Sequence, residues 1–96
     1  MADPTSLAEV RARIDALDGE LVRILADREA LVRRAAAFKT DEQAVRAPDR
    51  VEQVVRSARE RAAGAGLSPD VVEAVWRAMI AAFIDLELVE HRSAGD

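Results

Sequence analysis

The stretch LVRILADREALVRRAAAFK, residues 21–39, decides how this chain is read. Its apolar residues return every three or four positions, the period of a helix that buries one face. The same stripe carries Arg28 and ends on Lys39, so two positive charges stand where packing calls for leucine. Toward the N-terminus the pattern takes in Leu7, Val10, Ile14, Leu17, Leu21 and Ile24, and toward the C-terminus Leu31, Ala35 and Phe38. No proline interrupts it, and Gly19 is its only glycine. Ser6, with Glu9 three residues on, has the form of a capping box. The pattern predicts a first helix of about 30 residues, roughly 45–50 Å long at 1.5 Å per residue.

KTDEQAVRAPDR, residues 39–50, breaks the period. Residues 40–47 are expected to form a loop, polar enough from Thr40 to Val45 to serve as a mobile lid over a buried site. Pro48 can open a second helix at its first turn. That helix runs to about Ala63, with Val51, Val54, Val55 and Ala58 on its inner face. GAGLSPD, residues 64–70, is a stop and a restart: glycines end the second helix, Ser68 caps the third and Pro69 takes its first position. Val72, Val75, Trp76, Met79, Ile80, Phe83 and Ile84 line the third helix, which is expected to end near His91. The reading is one all-α domain over residues 1–96, with one long and two shorter helices and frayed ends at 1–6 and 92–96.

Composition narrows the function. Half of the 96 residues are hydrophobic and a third are charged, with one Trp, two Phe and no Tyr, a balance that suits helices. The formal charge is −4 and the arginines are interleaved with acids, which argues against wholesale nucleic-acid binding. No cysteine and a single histidine leave no metal site to expect. The N-terminal MADPTS has no apolar leader and no window approaches the ~20 apolar residues of a membrane span, so the chain is expected to be soluble and cytoplasmic. A globule of this size is only ~25–30 Å across, so a ~45 Å helix with a continuous apolar stripe needs a second chain to cover it. A homodimer built on the first helix is the economical solution.

One stripe of that helix runs Arg11, Ile14, Asp18, Leu21, Leu25, Arg28, Val32, Ala35, Lys39. Arg28 and Lys39, ~16 Å apart along the axis, point the same way and could grip a small dianion. Arg11 and Arg28 are ~25 Å apart, too far to share one small ligand, so Arg11 would have to come from an antiparallel partner helix. Two equivalent sites would result, each drawn from both chains. The plainer alternative is a solvated or salt-bridged seam in which the arginines meet acids such as Asp18 or Glu29. Glu87 follows Trp76, Ile80 and Phe83 on the apolar face of the third helix. Desolvation there favours a protonated carboxyl that can donate a hydrogen bond. The alternatives are a pairing with an arginine such as Arg11 or Arg28, or a place at the frayed end one turn from His91.

LAEVRARIDALDGELVRILADREALVRRAAAFK, then a loop, a helix opening with an arginine, and GLSPDVVEAVWRAMI together resemble the all-helical chorismate mutase family over about residues 7–91. FKTDEQAVRAPDRV is most similar to the branch containing isochorismate-pyruvate lyases. The resemblance implies an intertwined homodimer with two shared sites, no cofactor, and chorismate or isochorismate as substrate. By position it implies that Arg28 holds one carboxylate and Arg11 of the partner subunit the other. It implies that Lys39 hydrogen-bonds a carboxylate and the ether oxygen, and that Arg50 lines the site. Mutases of the family commonly have Glu after that arginine; here it is Val51, as in the lyase branch. Both branches usually have Gln at the position of Glu87, so this carboxyl must be protonated to donate to the ether oxygen. Three functions follow as expectations: an isochorismate-pyruvate lyase with weaker mutase activity, a dedicated chorismate mutase, or a catalytically silent helical dimer.

Overall fold

The computed structural model describes residues 3–95. It contains α1 (Leu7–Ala36), α2 (Glu42–Arg46), α3 (Pro48–Ala65) and α4 (Pro69–Gly95), with no strand among the described residues. The all-helical expectation holds, with a one-turn helix, α2, added between the first and second of the three expected helices. The described residues fall into two compact units, one ending at Val32 and the other beginning at Arg33.

α1 begins where the capping pattern places it. The Ser6 hydroxyl accepts from the Glu9 N–H at 3.1 Å, and the Glu9 carboxylate accepts from the Thr5 N–H at 2.8 Å. The reciprocal bond thus reaches one residue further back than in the usual box. No residue of α1 is buried, and Ile14, Leu17, Leu21, Ile24 and Leu31 each stay at least half exposed.

The helix ends at Ala36, three residues short of the expected stripe. The N–H groups of Ala37, Phe38 and Lys39 donate to carbonyls three residues back, at 3.0–3.3 Å, which tightens and stops it. Phe38 therefore lies outside the helix and is 87% exposed, not part of an apolar face. Residues 40–47 are likewise not a plain loop. Asp41 is extended and its carboxylate accepts from the Ala44 N–H at 2.8 Å, capping α2. Glu42 in the first turn and Arg46 in the last suit the helix dipole, and Val45 is buried beneath it.

Ala47 joins α2 to α3 in the left-handed region, at φ 35° and ψ 63°. It persists there because both of its backbone groups are committed. Its N–H donates to the Gln43 carbonyl at 2.9 Å and its carbonyl accepts from the Val51 N–H at 3.0 Å. Pro48 then opens α3 as expected. α3 runs through Gly64 to Ala65, two residues beyond the expected end, because only Gly66 takes a positive φ (75°). The Gly66 and Leu67 N–H groups both return to the Ala62 carbonyl and close the helix.

α4 packs against both α3 and α2. Ala58 and Ala62 of α3 are small, and Val72 with Trp76 of α4 fills the space over them. Val55, Ile80 and Leu88 extend the buried set, so most of the expected inner faces are found, whereas Val75 is 52% exposed. α4 continues past His91 to Gly95 in place of the expected fray, with Arg92 favourably placed against its C-terminal dipole. Met1, Ala2 and Asp96, part of the ends expected to fray, lie outside the described residues.

Outside this core an exposed chain of charges clasps α3 to α4. Arg77 donates to both Glu52 oxygens (2.8 and 2.9 Å) and to Glu73 (2.8 Å), while Arg59 reaches Glu73 (2.9 Å) and Asp70 (3.1 Å). Hydrogen bonds from Arg77 hold the Glu52 and Glu73 carboxyls below their usual 4.5, and the same bonds raise the Arg77 guanidinium.

Two predictions follow from these local structures. Glycine relieves a left-handed residue, so Ala47→Gly is expected to hold or raise stability by up to about 1 kcal/mol, and Ala47→Val to lower it by about 1–2 kcal/mol. Urea midpoints check this, and the opposite order would refute it. Carboxyls depressed in the folded state stabilise it fully above the unfolded pKa, and that contribution is lost as pH falls through the folded value. Below about pH 4.5 the Tm should therefore drop more steeply for the native chain than for Glu52→Gln/Glu73→Gln; parallel curves would dismiss the clasp.

Candidate active site

The apolar face of α4 carries Glu87 into the interior, between the buried Ile80 one side and Leu88 the other, leaving it 3% exposed. An isolated carboxylate there would be costly. Lys39 answers it: its Nζ donates to both Glu87 oxygens, at 3.1 and 3.0 Å, and the lysine side chain is itself only 26% exposed. Among the described residues no buried side-chain nitrogen or oxygen lacks a partner. The sequence left Glu87 protonated, paired with an arginine, or at a frayed helix end; it is buried well inside α4 and paired with a lysine. The cation is Lys39 because α1 stops at Ala36, and the turn that follows directs Lys39 toward α4 rather than along a helix stripe.

Two further contacts grip the same segment. Arg33, near the end of α1, pairs with Glu90. Glu42, in the first turn of α2, accepts from Arg92 Nε at 3.1 Å. Glu87, Glu90 and Arg92 lie within two turns of α4, so one short stretch of helix meets residues 33, 39 and 42. Sequence reasoning did not find these partners. The charge signs along the two stretches are complementary, but pairs separated by 48 to 57 residues cannot be assigned without the fold.

The remaining nominated residues stand elsewhere. Arg50 is in the first turn of α3 and donates to Gln53 Oε1 at 2.8 Å, along its own helix, and Val51 beside it is half-buried. Arg11 and Arg28 lie on α1 in the first unit, Arg11 exposed and Arg28 half-buried, ~25 Å apart along the axis. The structure thus brings Lys39 and Glu87 together. An apolar groove of about 160 Å³ between α3 and α4, lined by Ala58, Ala62, Val72, Trp76 and Arg61 among others, contains none of the nominated residues and is too apolar to receive a dianion. Among the described residues no cluster of His, Cys, Asp or Glu could hold a metal, and no helix is long and apolar enough to cross a membrane.

A lysine ammonium carries three N–H donors, so one seated on a carboxylate can still offer a hydrogen bond to an incoming anion. It is suited to electrostatic stabilisation of a developing oxyanion.

Comparison with known proteins bears on that chemistry. The family model for type II chorismate mutases matches residues 10–88, a span that contains Arg11, Arg28, Lys39, Arg50 and Glu87. An isochorismate pyruvate lyase of Pseudomonas aeruginosa is 35% identical over 78 residues, covering 81% of this chain and 77% of that protein. This chain belongs to the type II chorismate mutase family, as an enzyme of that family.

Proposed function

We propose that this protein converts isochorismate to salicylate and pyruvate, with slower rearrangement of chorismate to prephenate, and that it does so without a cofactor. The observation that carries this reading is the Lys39 ammonium seated on the buried Glu87 carboxylate, a cation held inside the chain by a group it can exchange for substrate. The lyase emphasis is supported by the likeness to the Pseudomonas lyase and by Val51 standing where dedicated mutases commonly have Glu. A second reading, a dedicated chorismate mutase, is favoured by the family description itself.

Both reactions break the same ether C–O bond in a cyclic shift of electrons. In the lyase reaction a ring hydrogen passes to the terminal carbon of the enolpyruvyl group, which leaves as pyruvate while the ring becomes aromatic. In the mutase reaction that carbon bonds to the ring instead. Neither needs a nucleophile. Catalysis comes from holding the reactive conformer and from positive charge beside the ether oxygen as the bond breaks. Lys39 would serve that oxygen, Arg28 and Arg11 of the partner subunit would hold the carboxylates, and Arg50 would turn from Gln53 to line the site.

Glu87 has to become a donor for this to work, because an ionised carboxylate repels the developing oxyanion. Glu87→Gln, which places a neutral donor at the same position, is therefore expected to raise kcat. The deciding measurement is a pair of assays, salicylate fluorescence from isochorismate and loss of chorismate absorbance. Salicylate formed far faster than prephenate supports the lyase. Prephenate alone makes the protein a mutase, and neither product leaves a silent helical dimer.

The exposed apolar stripe of α1 supports the proposed homodimer. Leu17→Asp/Leu21→Asp, two residues more than half exposed in the single chain, is expected to shift light-scattering mass from dimer to monomer and lower activity more than tenfold. A native chain that stays monomeric at assay concentration would remove the shared-site reading.

A further inference from the structure

Lys39 stands outside both of the helices that flank it. It lies between α1 and α2, and after its own N–H bond to Ala36 the next cap is the one at Asp41. Yet on each side of it one charged side chain reaches α4: Arg33 before it to Glu90, and Glu42 after it to Arg92 at 3.1 Å. With Lys39 on Glu87, the segment presents plus, plus, minus to a helix stretch presenting minus, minus, plus. The three partners on α4 span only ~7.5 Å of axis. A slip of the segment along α4 would set Lys39 or Arg33 toward Arg92, and like charges would oppose it.

We propose that the Arg33–Glu90 and Glu42–Arg92 pairs are positioning residues for Lys39, fixing where its ammonium stands when substrate displaces Glu87 from it. This rests on the assignment of Lys39 to the ether oxygen made above. The two pairs are poor candidates for plain stabilisers. Their side chains are 37–61% exposed, and such pairs contribute little to folding. Anchoring falls instead to Val45, 3% exposed, which holds α2 in the interior but cannot set the direction of a side chain six residues away. What the pairs add is register. Once Lys39 has given up Glu87, they still tie its flanks to α4 by side chains of fixed charge. Small displacements of a catalytic group lower rates steeply, whereas they scarcely change the fold's stability.

The test uses the full chain and steady-state kinetics on whichever of isochorismate and chorismate is turned over. Glu90→Gln and Arg92→Gln are each expected to lower kcat about two- to fivefold, and together about tenfold, with KM within about twofold, because the loss is felt in the transition state. Tm should move by no more than about 2–3 °C. Arg92→Lys, which keeps the charge, should hold kcat within about twofold of the native value. A kcat untouched by Glu90→Gln/Arg92→Gln would overturn the proposal, as would a Tm and kcat that fall together with no rescue by lysine. Lys39→Gln/Glu87→Gln separates the two layers, since it removes both buried charges at once. If it keeps the Glu87→Gln rate, the catalytic assignment of Lys39 itself is lost. If that double variant is inactive while the flanking variants are unaffected, only the positioning role is lost.

Discussion

A carboxylate buried to 3% exposure needs a cation, and much of the local architecture is arranged to deliver one to Glu87. The cation comes from 48 residues earlier in the chain. To bring it there, α1 must stop at Ala36, since three more helical residues would carry Lys39 onward along the helix axis. The chain must then restart immediately, which Asp41 achieves by capping α2, and turn sharply into α3, which Ala47 achieves at the cost of a left-handed backbone. A buried ion pair is weak evidence of stability, because an apolar pair of similar volume would hold the fold at least as well. On the proposed reading, its place on an otherwise apolar face of α4 serves the site rather than the core.

α4 is held by different forces along its length. Near its start the contact is close packing: Val72 and Trp76 against the alanines of α3, with the charge clasp of Arg59, Glu73, Arg77 and Glu52 around the outside. Near its end the contacts with residues 33–42 are ionic, and Val45 and Leu88 are the large apolar groups buried there. Close packing fixes a helix against its neighbour with little room to adjust. Ionic contacts at half-exposed positions are directional yet exchangeable, and on the proposed reading a site that trades Glu87 for substrate needs that second kind.

The sequence made the helices legible because their signals are local. Ser6 and Glu9, Pro48, Gly66 and Pro69 each act through backbone groups within a few residues, and each stands within its expected turn. The interior faces of α3 and α4 were readable from period alone, apart from Val75. Harder to read was the passage from Phe38 to Ala47. Asp41 followed by Glu42 was a usable capping signal there, overshadowed by the polarity of the run and by a stripe that continues on paper to Lys39. The burial of Glu87 was visible from its spacing, but its partner was not. Sequence spacing ranks neighbours along one helix and says nothing about which cation the chain folds back to offer.

On the proposed reading, charge accounting separates binding from catalysis. Arg11 of the partner subunit, Arg28, Lys39 and Arg50 bring four positive charges and Glu87 at most one negative, so a dianion meets an excess of positive charge whether or not Glu87 is ionised. Its long-range attraction to the site therefore depends little on the state of that one carboxyl, and binding should tolerate both. What changes with the proton is the contact at the ether oxygen. An ionised Glu87 there opposes the developing charge and competes for Lys39, whereas a protonated one donates beside it. The identity of residue 87 is thus expected to govern kcat far more than KM. The arginines, which hold the carboxylates equally in ground and transition states, should govern KM.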